Sequence, residues 1–121
     1  MTPSVLIADD DPMIRGLLCQ ALELDNFRVA AAKDGLDTLE KIQAARPDVL
    51  VLDVMMPKLD GLAVCQRLRS VPATADLPII LLSGQAHLSK AEMLHTGASK
   101  YLPKPVAIDV LVASIYELLP S

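Results

Sequence analysis

Val49-Leu50-Val51-Leu52-Asp53 is the stretch that decides the fold. Four apolar residues of β-branched and Leu type run without polar alternation into one acid, and Met55-Met56-Pro57 then stops the strand from continuing. So short an apolar run fits a strand buried on both faces, although periodicity alone would also allow a buried helical segment. As a strand it delivers Asp53 to its carboxyl end, the edge of an open α/β sheet at which ligands bind.

Upstream, Ser4 to Ala8 reads as a first short buried strand running straight into Asp9-Asp10-Asp11-Pro12. Asp11 suits a helix cap and Pro12 the first turn. Ile14, Leu17, Leu18, Ala21 and Leu24 follow at helical spacing, to about Asp25. After Asn26, Phe27 to Ala31 make a second strand. Asp34-Gly35 opens a helix with Leu36, Leu39, Ile42 and Ala45 as its expected buried stripe, and Pro47-Asp48 ends it.

Downstream, Asp60 caps a helix with Leu62, Cys65, Leu68 and Val71 inward, and a proline-bearing loop spans Val71 to Pro78. Ile79 to Leu82 form a fourth apolar strand ending on Ser83-Gly84. Ser89 to Thr96 read as a short helix stopped by Gly97, Lys100-Tyr101-Leu102 as a brief fifth strand, and Ile108 to Leu118 as a last helix. Strand and helix thus alternate five times, which predicts an α/β, mostly parallel five-stranded sheet, doubly wound with helices on both faces. The carboxyl edge then collects Asp9, Asp10, Asp53, Ser83 and Lys104.

The chain's 121 residues suffice for one domain, read as 1–121, with a core that needs no staples. Cys19 and Cys65 lie apart inside apolar helical patterns and are expected to be free buried thiols. Eleven basic against fifteen acidic residues, with no basic cluster and 2% aromatics, argue against nucleic-acid binding. No signal sequence or membrane span is recognisable, so a cytoplasmic protein is expected.

Three carboxylates about 4 Å apart at an effective dielectric near 20 repel by roughly 4 kcal/mol per pair. Such a cluster holds a proton, recruits Lys104, or binds a hard cation. Few oxygen ligands on a rigid edge suit Mg²⁺, which joins one or two carboxylates to a phosphate, and a carboxylate beside it can itself accept a phosphoryl group. Lys104 and Ser83 have the chemistry to meet the charge on the phosphoryl oxygens. Spacing alone does not choose the acceptor among the acids.

Asp9-Asp10 after strand one, Asp53 within D-x-x-M-P-x-x-D-G, Ser83-Gly84 after strand four and Lys104-Pro105 after strand five, in this order, resemble the receiver domains of two-component response regulators. The resemblance covers essentially the whole chain and implies a flavodoxin-like fold. It implies Asp53 as phosphoacceptor, with Mg²⁺ (or Mn²⁺) held by Asp10, Asp53 and the Met55 backbone carbonyl, and by Asp9 mainly through water. Ser83 would be the switch hydroxyl, Lys104 the partner of the phosphoryl group, and Tyr101 the rotamer switch. Lys104-Pro105 would be a cis peptide, and Gly61 matches the family's loop glycine. The partners implied are a histidine kinase or histidine phosphotransfer protein and a downstream effector on the face made by helix four, strand five and helix five. Such a module is a bacterial, cytoplasmic signalling protein, a monomer or phosphorylation-dependent dimer, with self-phosphorylation and autodephosphorylation of its own. Two residues depart from the usual pattern: Gly84, where Ala is common, loosens the switch loop, and Lys100 charges the output face.

Two rivals remain. One is an Mg²⁺-dependent phosphohydrolase using Asp9 and Asp11 as a D-x-D pair, which leaves Asp53 and M-P-x-x-D-G unexplained. The other is a degenerate receiver serving as a docking domain. Among the remaining polar groups, Asp11 and Asp60 read as helix caps, His87 and His95 as solvated, and Met55-Met56 as loop and core filler.

Overall fold

The computed structural model describes residues 2–84 and 89–120. Strands and helices alternate along the chain: β1 (Ser4–Ala8), α1 (Pro12–Leu24), β2 (Arg28–Ala32), α2 (Gly35–Ala44), β3 (Val49–Asp53), α3 (Gly61–Ser70), β4 (Ile79–Ser83), α4 (Lys90–His95), β5 (Lys100–Pro103) and α5 (Ile108–Leu118). All pairings are parallel, in the order β2-β1-β3-β4-β5. The central strand is β3. Every residue of β3 is buried, and alternate side chains feed two separate cores. Leu50 and Leu52 pack with Val64, Cys65 and Leu68 of α3, whereas Val49 and Val51 pack with Leu18, Leu22, Leu111 and Ile115 of α1 and α5. Each fully buried Leu or Ile contributes about 1.5–3 kcal/mol, so the central strands carry much of the stability.

Several sequence expectations need correction. Phe27 does not start β2. Asn26 has φ 68°, the Phe27 N–H donates to Leu22 O at 3.1 Å and the Asn26 N–H to Glu23 O at 3.0 Å. This Schellman ending swings the Phe27 ring into the core beside Leu22 and against Tyr116, 5.2 Å between centroids. On α1, Leu17 and Leu24 are exposed, and Leu22 takes the buried place. On α2 the buried line is Gly35, Thr38 and Ile42, while Leu36 and Ala45 face outward. Thr38 tolerates burial because its hydroxyl donates to Asp34 O at 2.7 Å. Val71 is exposed at the end of α3, and of the two free cysteines only Cys65 is fully buried.

The outer edge of β2 is partly closed by α2. The Lys33 N–H donates to Asp37 Oδ2 at 3.1 Å, Lys41 Nζ donates to the Ala31 carbonyl, and Asp37 and Lys41 pair with each other at 3.2 Å. At α4, Ser89 and Glu92 form a reciprocal capping box, with the Glu92 N–H on Ser89 Oγ at 3.0 Å and the Ser89 N–H on Glu92 Oε1 at 3.3 Å. Gly16, inside α1, has no atom within 4 Å of where a Cβ would stand. Gly16→Ala is therefore expected to stabilise the protein by about 0.5–1 kcal/mol, read as a higher urea midpoint at unchanged slope. No helix among the described residues is long and apolar enough to cross a membrane.

Candidate functional site

Parallel pairing places the ends of β1, β3, β4 and β5 on one edge, and the expected residues meet there. Asp9 follows β1 directly, its N–H continuing the ladder to Ala32 O at 3.2 Å. Its side chain is 1% exposed. Oδ1 accepts the Asp11 N–H at 2.9 Å and Oδ2 faces Lys104 Nζ at 3.3 Å, while Arg15 Nη1 donates to the Asp9 carbonyl at 2.8 Å. Asp10, next in sequence, is exposed. One carboxylate oxygen from each of Asp9, Asp10 and Asp53 lies within 4.8 Å of the others, a group of hard oxygen donors that could hold a metal ion.

Asp53 ends β3 and is 4% exposed. Its Oδ2 lies 3.0 Å from Lys104 Nζ, and its Oδ1 accepts the Met55 N–H at 3.3 Å. Burial, the largest influence, pushes the Asp53 carboxyl above its ordinary pKa and Asp9 adds to the rise, while the hydrogen bond and charge of Lys104 oppose it. Burial acting alone would lower the Lys104 pKa, but the carboxylates of Asp53 and Asp9 outweigh it and hold the ammonium group above its usual value. One cation thus serves two buried acids.

Ser83 is the last residue of β4 and 2% exposed, and its carbonyl accepts the Lys104 N–H at 2.9 Å. The Lys104-Pro105 peptide is cis. Tyr101 pairs with Leu81 and packs half-buried on the core beside α3. Strand alternation puts Ser83 on the same face as Leu81 and Tyr101. Gly84 sits near Lys104, where an added Cβ would stand 3.9 Å from the lysine Cβ, so the site has room for the Ala the sequence lacks. Lys100 pairs with Glu117 of α5 and ties β5 to that helix.

Beside the acids a cleft of about 470 Å³ is lined by Asp10, Met55, Met56, Pro57 and Asp60. Met56 is buried and Met55 exposed. Asp11 does not join the cluster. Its Oδ1 accepts the Met13 and Ile14 N–H groups at 2.9 and 3.4 Å and caps α1, which removes the geometric basis of an Asp9–Asp11 pair. Asp60 caps α3 through the Ala63 N–H at 2.8 Å. His95 is exposed at the end of α4, and His87 lies outside the described residues. The sequence reading missed Arg15, whose place one turn into α1 after Asp9 was the available signal. The packing of Asp34 and Gly35 against the loop after β3 carries no signal in the sequence beyond that of a helix start.

A doubly wound parallel sheet with an acid-lined carboxyl edge and one half-buried lysine defines the class of signalling domain that the motifs resemble. The model of the response regulator receiver domain matches residues 5–116, and the chain belongs to that family. It is 45% identical over 120 residues to the response regulator MprA of Mycobacterium ulcerans, covering 98% of this chain and 51% of that protein. It is 46% identical over 116 residues to MprA of Mycobacterium leprae, covering 95% and 50%. The chain thus spans about half the length of these curated relatives. Among solved structures, the receiver domain of the Francisella response regulator 1452 superposes with a TM-score of 0.90 at 36% identity, covering 97% of this chain and 96% of that one. The chemotaxis response regulator CheY4 of Vibrio cholerae gives 0.90 at 30% identity, covering 98% and 100%.

Proposed function

We propose that this receiver domain takes a phosphoryl group from a phosphohistidine of a sensor kinase or phosphotransfer protein onto Asp53. The observation that carries the reading is the meeting of Asp9, Asp10 and Asp53 with Lys104 at one sheet edge, brought there by three separate motifs. In the transfer, an Asp53 carboxylate oxygen forms a bond to phosphorus as the phosphorus–nitrogen bond breaks. The bonding pair stays on the imidazole, and the product is an acyl phosphate.

The donor set fits Mg²⁺, or Mn²⁺ in its place. Asp10, Asp53 and the Met55 carbonyl would hold the ion directly, while Asp9, with both oxygens engaged, would act mainly through water. A bound divalent ion supplies neutralisation of charge on the phosphoryl oxygens. Lys104 draws in the phosphoryl oxygens from its position over Asp53. Ser83 supplies a hydroxyl to the same group, and Tyr101, on the same sheet face, follows its movement. The result is a shift of a pre-existing equilibrium at the α4-β5-α5 face, worth typically about 1–3 kcal/mol in partner affinity. The domain works in the cytoplasm as a signalling module with self-phosphorylation and autodephosphorylation, as a monomer or a phosphorylation-dependent dimer.

Acetyl phosphate with Mg²⁺ is expected to add one phosphoryl group, stable to acid and labile to base, as read by intact-protein mass. Absence of an adduct, or its formation in EDTA at the same rate, would overturn the reading. Ser83→Ala is expected to keep Mg²⁺ affinity within about twofold while reducing amide shift changes at β5 on phosphorylation. Unchanged shifts at Tyr101 would remove the switch role from Ser83.

A further inference from the structure

The loop between β3 and α3 carries Met55 and adjoins Asp53, so whatever fixes its backbone fixes part of the site. Within the loop, the Gly61 N–H donates to Val54 O at 2.9 Å and the Leu59 N–H to Pro57 O at 2.8 Å. From outside, two contacts arrive from the start of α2, at its cap and its first residue. A Cβ on Gly35 would stand 2.0 Å from Leu59 O and 2.6 Å from Leu59 Cβ. Gly35 does not have a positive φ, so close approach, and not backbone freedom, requires the glycine. Asp34 beside it is 4% exposed and divides its two oxygens. Oδ1 accepts the Asp37 N–H at 2.8 Å and caps α2, while Oδ2 faces Lys58 Nζ at 3.6 Å.

Lys58 lies in the same loop with φ 69°, a left-handed conformation that a non-glycine residue keeps only where its surroundings hold it. Its side chain is 61% exposed. The ion pair is therefore screened by solvent and adds little to global stability, which leaves position as what it can supply.

We infer that Asp34, Gly35 and Lys58 form a bracket that sets the Met55 backbone against Asp53 and Asp10, and are positioning residues of the metal site. The inference rests on the proposed reading of Asp53 and Met55 as metal ligands. Mg²⁺ demands near-ideal geometry, and loss of the groups that orient its ligands typically costs about 10–100-fold in affinity. Gly35→Ala forces the loop backbone to move, whereas Lys58→Met removes only the screened pair. Asp34→Asn keeps a good helix cap and removes the charge.

The test is an Mg²⁺ titration followed by amide shifts, together with the rate of phosphorylation by acetyl phosphate across Mg²⁺ concentrations. Gly35→Ala is expected to raise the Mg²⁺ Kd by about 10-fold or more. Lys58→Met and Asp34→Asn are each expected to raise it by roughly threefold, their double variant by no more than either alone, with rates recovering at saturating Mg²⁺. Should Gly35→Ala fail to fold, the other two variants and their double decide. An unchanged Kd in folded Lys58→Met and Asp34→Asn, or fully additive effects in the double variant, overturns the bracket. Failure of the wild-type protein to bind Mg²⁺ overturns the metal reading itself, which separates the two conclusions.

Discussion

Asp53→Asn is expected to abolish phosphoryl uptake from acetyl phosphate and, in the same protein, to raise the thermal midpoint at pH 7. The first effect follows because an amide cannot form the acyl phosphate. The second follows from electrostatics. Burial raises the Asp53 pKa, so the native state binds a proton there more readily than the unfolded chain does. Its contribution to stability is present below the ordinary aspartate pKa and is lost as pH rises through the raised native value. At pH 7 the ionised group is a net cost, and the near-isosteric amide removes it. Each kcal/mol released reads as about 4 °C for a domain of this size. The gain is expected to shrink between pH 7 and pH 4 in calorimetry. A variant that still gains a phosphoryl group sinks the acceptor assignment, and a lower midpoint at pH 7 sinks the electrostatic account.

Lys104→Met should have the largest effect on stability. Its ammonium group lies within 3.3 Å of Asp9 and 3.0 Å of Asp53, both nearly sealed from water. Removing one partner from a fully buried ion pair costs about 3–5 kcal/mol; with Lys104 at 23% exposure, about 2–3 kcal/mol is the better expectation. The carboxylates left behind can share a proton, so the variant should recover part of the loss as pH is lowered from 7 to 5. In the wild type, the raised Lys104 pKa gives support that is complete below the lysine's ordinary value. That support disappears only as pH climbs through the raised one, in strongly alkaline solution. Urea unfolding at the two lower pH values checks the variant. An equal loss at both would assign the effect to packing and not to charge.

The strands were legible because burial on both faces leaves an uninterrupted apolar run, as in Val49 to Leu52 and Ile79 to Leu82. The edge residues followed from topology, since parallel order alone brings Asp9, Asp53, Ser83 and Lys104 together. Helix faces were harder. On α2 an apolar Leu36 suggested one stripe, but Gly35 is buried by its approach to Leu59 and Thr38 by a hydroxyl satisfied on its own helix. Neither property shows in a hydropathy pattern. Phe27 reads as strand by residue type, yet the left-handed Asn26 before it makes the ring part of a helix ending. Spacing alone does not show which of Asp9 and Asp10 is buried, because that depends on which carboxylate faces Lys104; their separate roles come from the family resemblance.

Asp37 and Lys41 at the margin of β2 have a consequence for how the molecule behaves when crowded. A strand at the end of a sheet offers unpaired main-chain groups on which another polypeptide can lay itself down, the first step of cross-β polymerisation. Here the Ala31 carbonyl and the Lys33 N–H are already occupied by one helical turn of the same chain. A newcomer would have to displace an ion pair before it found a main-chain partner at either position, so the domain resists templated growth along that border.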